Sequence, residues 1–128
     1  MNNSQLLESV FDLTSEVAEA LTLTVAYPGK KFTPPDSGEW LELSTTANDL
    51  QPDISGSSVF RRGIFQINVC GRPDKNPLVL YGYADTIAAM IPKGPNDAGF
   101  TITNNPTVSS LIELDDRVIL PITITYSE

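Results

Sequence analysis

The stretch Arg61-Arg62-Gly63-Ile64-Phe65-Gln66-Ile67-Asn68-Val69 constrains the fold more than any other part of the chain. Phe65, Ile67 and Val69 alternate with Gln66 and Asn68. Successive side chains leave a strand on opposite faces, so this period of two predicts a strand with one apolar and one polar face. A turn cluster, Gly71-Arg72-Pro73-Asp74-Lys75, follows it, and then a segment with helical spacing. An apolar strand face needs a second layer to cover it, and that helix is the nearest element able to do so.

The helix is well signalled. Asn76 stands at the N-cap and Pro77 at the first helical position, where a missing N–H costs nothing. Leu80, Ala84, Ile87 and Ile91 form one stripe, with Tyr81 and Ala88 beside it. Gly82 in its interior costs about 1 kcal/mol relative to Ala, which points to close approach by a strand or another subunit. Pro92 and Gly94-Pro95 end the helix.

An earlier helix is expected from Ser4, as N-cap, to Leu21. Leu6, Val10, Leu13, Val17 and Leu21 recur at three- and four-residue steps. Glu8, Asp12, Glu16 and Glu19 take the opposite side. Such a face is ordinarily just solvated; the functional alternative is a face turned toward a basic partner or a DNA passage.

The remainder reads as strands and loops. Thr22 to Tyr27 is a short strand, and Pro28 to Glu39 a loop without period. Lys30, Lys31 and Phe32 in that loop are either an interaction arm or ordinary solubility charges beside a tucked ring. In the strand Trp40–Thr45, Leu41 and Leu43 share one face, and Trp40, Glu42 and Ser44 the other. Trp40 is either a core or seam residue or a subunit-interface anchor. Polar residues from Thr46 to Ser58 link this strand to the central one as a long hairpin with an extended loop. Asp49 and Asp53 in that loop lack the glycine and closing glutamate of a calcium loop, so no metal is expected there. Arg61 and Arg62 either pair with an acidic neighbouring copy or discourage edge aggregation.

Three further strands are expected: Phe100–Thr103, Val108–Leu114 and Arg117–Tyr126, the last two joined by a turn at Asp115-Asp116. Pro121 has no ladder donor, which places the last strand at an edge or gives it a bulge. A long edge strand is a pairing hazard that a neighbouring copy would remove. The fold class expected is α+β: a mostly antiparallel sheet with two helices packed on one face, and a long β-hairpin with an extended loop. Residues 1–128 are expected to form a single domain.

Composition narrows the chemistry. Eight Lys and Arg against sixteen Asp and Glu give a net charge of −8, the wrong sign for contact with nucleic-acid phosphates. There is no histidine, which removes Ser-His-Asp and Cys-His catalysis and His-ligated metals. The single cysteine, Cys70, has no internal disulfide partner and reads as a small packed residue rather than a reactive thiol. No signal peptide and no membrane-spanning apolar run is expected. Phosphate loops, Gly-x-Gly-x-x-Gly, Cys-x-x-Cys and the nucleophile elbow are all missing. No catalytic, cofactor-binding or metal residue is therefore expected, and no enzymatic activity. The rival is a small ligand-binding module or enzyme, which a deep pocket with convergent polar groups would favour.

Three segments in order resemble one family. Ala26-Tyr27-Pro28-Gly29-Lys30-Lys31-Phe32-Thr33-Pro34-Pro35, followed by Glu39-Trp40-Leu41, is similar to the N-x-x-F-x-P…W-L segment of phage tail terminator-like proteins. Arg62-Gly63-Ile64-Phe65-Gln66-Ile67-Asn68-Val69 resembles their R-x-G-x-x-x-I-x-V strand, and Ala84-Asp85-Thr86-Ile87-Ala88 the A-D-x-I of their following helix. The resemblance spans roughly residues 20 to 95. It implies a virion structural protein of the tail or neck, present in the host cytoplasm during assembly. It implies a homo-oligomeric ring, a hexamer, on the head-proximal end of the tail tube. Such a ring ends tube polymerisation, meets the head connector and lets DNA pass without specific binding; another neck or tube component is the alternative. The contact residues expected are Lys30, Lys31, Phe32, Trp40, Arg61 and Arg62.

Overall fold

A computed structural model describes residues 3–36, 38–45, 49–52, 59–73, 76–96 and 99–127. The elements run α1 (Asn3–Leu21), β1 (Val25–Ala26), β2 (Trp40–Thr45), β3 (Asp49–Pro52), β4 (Val59–Gly71) and α2 (Leu78–Met90). After α2 come β5 (Gly94–Pro95), β6 (Thr101–Ile102), β7 (Thr107–Val108), β8 (Ile112–Glu113) and β9 (Val118–Ser127). All the strands join one sheet, with the path β1-β2-β4-β9-β6-β5. Only β1 and β2 pair in parallel; every other pair is antiparallel. The architecture is α+β, as the sequence predicts.

The alternation in β4 sets the layers. Phe65, Ile67 and Val69 are buried with Leu41 and Leu43 of β2, and with Leu120, Ile122, Ile124 and Tyr126 of β9. Leu6, Val10, Leu13, Val17 and Ala18 of α1, and Leu80, Ala84 and Ile87 of α2, close over this one face. Each buried Val, Leu, Ile or Phe among them contributes roughly 1.5–3 kcal/mol by leaving water. Phe65, Phe100 and Tyr126 stack at one end of this core, with ring centroids 5.4 to 6.4 Å apart. Thr14, also buried, returns its hydroxyl to the Val10 carbonyl at 2.8 Å, so this hydroxyl is not stranded.

The helix ends depart from expectation in detail. α1 already includes Ser4, so Ser4 lies within the helix rather than capping it. Its C-terminus closes by two bonds, Leu23 N–H to Ala18 O at 2.9 Å and Thr22 N–H to Glu19 O at 3.2 Å. This is a Schellman closure, and it puts Thr22 at φ 58°, where glycine is usual. The closure uses up Thr22 and Leu23, which is why the strand expected from Thr22 to Tyr27 shrinks to Val25–Ala26. At α2 the side chain of Asn76 accepts the Leu78 N–H at 3.0 Å while Pro77 has helical dihedrals. The capping chemistry is therefore as the sequence predicts. Gly82 meets no atom within 4 Å of a built Cβ, so no strand of this chain requires it. Gly71 is the close-packed glycine: a Cβ there would lie 3.1 Å from Leu80 Cδ2.

Two stretches expected as loop or single strand are organised differently. Within the polar stretch 46–58, Asp49–Pro52 extends the hairpin by pairing with Val59–Arg62; Asp53 lies outside the described residues. The ladder is a backbone property, and Asp-Leu-Gln-Pro carries no apolar alternation to announce it. The expected strand Val108–Leu114 is split into β7 and β8. Thr107–Val108 pairs with Thr123 and Ile122, and Ile112–Glu113 with Ile119 and Val118. Three residues, Ser109, Ser110 and Leu111, thus face only Leu120 and Pro121.

Of the two positions that Pro121 allows, an edge or a bulge, this split excludes the edge and leaves a bulged ladder opposite Pro121. The strand pairs with β4 over ten positions on one side, and with β6, β7 and β8 on the other. Pro121 survives there because the interruption it demands lies in its neighbour. The edge-strand argument for assembly falls with it.

Candidate functional site

The sheet face opposite the helices holds the residues singled out in the sequence. Trp40 and Glu42 point there because Leu41 and Leu43, between and beyond them, point into the core. Trp40 is only 1% exposed, although no helix covers this face. The loop after β1 folds across it, and Arg72, just past β4, sets its guanidinium 5.2 Å from the centre of the Trp40 ring. The same guanidinium donates from Nη2 to the Pro35 carbonyl and so ties the loop to the end of β4. Trp40 is a seam between loop and sheet.

Between loop and sheet lies a groove of about 300 Å³, lined by Ala26, Lys30, Phe32, Pro34, Trp40, Glu42, Arg72, Asp116 and Arg117. Phe32 is half-buried in it, while Lys30 and Lys31 are exposed. Lys30 holds its ammonium 5.7 Å from the centre of the Tyr27 ring, and Tyr27 packs on Phe11 with centroids 5.0 Å apart. The loop is thus anchored to α1 through aromatic contact.

The floor of the groove is an ionic chain. Arg117 Nε lies 3.1 Å from Glu42 Oε2, close enough for an ion pair although its N–H makes no directed hydrogen bond. Arg117 Nη1 lies 3.3 Å from Asp116 Oδ2. The Cys70 thiol donates to Glu42 Oε2 at 3.1 Å. Burial, then the Glu42 carboxylate, push the thiol far above its ordinary range. A buried, protonated thiol is a poor nucleophile, in line with the reading of Cys70 as a packed residue. Arg72 and Arg117 were not singled out as contact residues, because the sequence does not reveal that the loop brings them to Lys30 and Phe32.

Arg61 and Arg62 sit elsewhere. Arg61 pairs with Leu50 in the hairpin, and the exposed Arg62 pairs with Asp49 and with Ser127. β9 ends at that position, so the hairpin beyond it is a two-stranded ribbon projecting from the sheet. The four residues therefore fall in two places along the chain's fold: Lys30 in the groove with Lys31 next to it, and the backbone of Arg61 and Arg62 at the base of the ribbon.

Among the described residues, no group of three or more Cys, Asp or Glu is placed to hold a metal ion. None of the described helices is long and apolar enough to cross a membrane.

No curated protein matches the chain significantly. One solved structure, of a protein bearing no functional name, is similar over 99% of this chain and 95% of its own, with 23% identity and a TM-score of 0.75. At that identity the likeness speaks for the fold. A family model described as phage tail terminator protein matches residues 7–126, nearly the whole length. The chain therefore belongs to the phage tail terminator family, a family of structural proteins of the virion tail.

Proposed function

We propose that the protein caps the head-proximal end of the tail tube as a ring of six identical copies. The ring stops further addition of tube subunits and offers the joining surface to the head connector. Assembly takes place in the host cytoplasm, and DNA passes through the ring without specific binding. Lys30, Lys31, Phe32, Trp40, Arg61 and Arg62 serve as contact residues, the buried Trp40 by holding the loop that carries the first three.

Beyond family membership, the observation that carries this reading is the outer face of α2. Leu78 is 71% exposed and Val79 45%, with Tyr81 and Met90 also exposed, and Asp85 is the helix's only charge. Exposed large apolar side chains gathered on a helix flank are a surface that normally finds cover. In an isolated chain, half of α2 is left in water, and a ring of copies on a tube supplies the missing cover. The net charge of −8 suits a channel that must not hold DNA.

The experiment is tube assembly with and without the protein, followed by electron microscopy and native mass spectrometry. The expected result is a six-copy ring at one end of each tube and tubes of limited length. Binding along the whole tube, or tubes growing on unchanged, would replace this reading with that of another neck or tube component.

A further inference from the structure

We propose that the groove beside Trp40 receives the acidic stripe of α1 from the next copy of the chain. This rests on the ring reading above and names the contact that builds the ring.

The groove gathers Lys30, Arg72 and Arg117, three of the eight cations of an acidic chain. Glu42 and Asp116 offset two of these charges, and Lys31 stands exposed beside Lys30. The lining thus holds three cations against two carboxylates on a molecule that is negative as a whole.

The complementary surface is on α1. Glu8, Asp12, Glu16 and Glu19 are all exposed and follow each other at steps of four, four and three residues, a line roughly 16 Å long at 1.5 Å per residue. The helix contains no Lys or Arg to neutralise them. Acids so arranged gain most from a cation brought by another molecule.

Placement decides the kind of assembly. α1 packs on one face of the sheet and the groove opens on the other, so the two surfaces lie on different sides of one copy. With groove and acidic stripe on different sides of a copy, one neighbour at each is favoured over both contacts shared with a single copy across a two-fold axis. Each copy then joins one neighbour by its groove and another by its helix. That is a heterologous contact, which closes into a ring when the rotation allows.

The test is charge exchange at exposed positions, with native mass spectrometry of the full chain alone and with tail tubes. Lys30→Glu with Lys31→Glu should weaken ring formation more than about tenfold, because like charges then face each other. Glu8→Lys with Asp12→Lys should do the same. The chain carrying all four substitutions should form rings again. Rings unaffected by either pair would overturn the contact while leaving the ring reading intact, and so would a fourfold variant that folds by circular dichroism yet fails to assemble. A wild-type chain that forms no ring with or without tubes would overturn both.

Discussion

Ser109 donates its backbone N–H to the Pro121 carbonyl at 2.9 Å, and Pro121 has no N–H to return. In an antiparallel pair these two groups of a residue lie on the same side of its strand. The vacant position of Pro121 therefore faces the segment between β7 and β8, where the ladder breaks and shifts by one residue. A central strand tolerates a proline here because the strand beside it is in two pieces.

Amide hydrogen exchange tests this arrangement. Ser109 and Thr103 both donate to β9, the latter to Thr125 O at 2.9 Å. Both amides should exchange as slowly as core amides of β4, since both belong to the sheet. If β9 were an edge strand in solution, both would exchange at loop rates.

Thr22 supplies a stability prediction. A β-branched residue at φ 58° carries left-handed strain of roughly 1–2 kcal/mol. Glycine relieves it, offset by its greater freedom in the unfolded chain. Thr22→Gly should gain about 0.5–1 kcal/mol and raise the thermal midpoint by roughly 2–4 °C, measured by calorimetry. A loss would mean that the helix closes by another route.

Arg72 ties three parts of the site together. Arg72→Ala removes the contact over Trp40 and the bond to Pro35 O. The expected cost is about 1–3 kcal/mol in urea unfolding. Trp40 is the chain's only tryptophan, so freeing the loop should shift the native emission to the red. An unchanged spectrum would show that the loop covers Trp40 without Arg72.

Much of this fold is legible in the sequence, for a physical reason. Phe65-Gln66-Ile67-Asn68-Val69 and the stripes of the two helices advertise burial, and burial makes the core. The capping of α2 is equally local, written in Asn76-Pro77. What the sequence hides is backbone pairing without apolar pattern, as in Asp49–Pro52, and cover supplied from far along the chain. Trp40 shares a strand face with Glu42 and Ser44, so its neighbours suggest water; a loop and Arg72, 32 positions away, bury it. The groove was missed for the same cause. Lys30, Arg72 and Arg117 lie in three separate segments, and only the fold brings them together.

Alkaline pH should destabilise the protein through Cys70 and Tyr126. Burial raises both above their ordinary values of 9.0 and 10.0. For a group whose pKa is raised on folding, the unfolded chain ionises first. The associated stability is complete below the ordinary value and falls as pH rises through it. Denaturation midpoints should hold up to about pH 8 and then decline beyond about pH 9. Cys70→Ala should remove the first part of that decline and leave the part due to Tyr126. Alkylating reagents should reach the wild-type thiol only on unfolding; rapid native labelling at neutral pH would contradict the buried site.

The outer face of α2 separates folding from assembly. Leu78 and Met90 are exposed and absent from the core, so Leu78→Lys with Met90→Lys should change monomer stability by no more than about 0.5 kcal/mol. If neighbouring subunits or the tube cover this face, the same pair of charges would be driven into an apolar contact and would cost several kcal/mol there. The expected outcome is a chain with an unchanged urea midpoint that no longer caps tubes or limits their length. Normal capping by the doubly charged chain would show that α2 stays in water in the assembled tail, and the cover for the ring would have to come from the projecting ribbon instead.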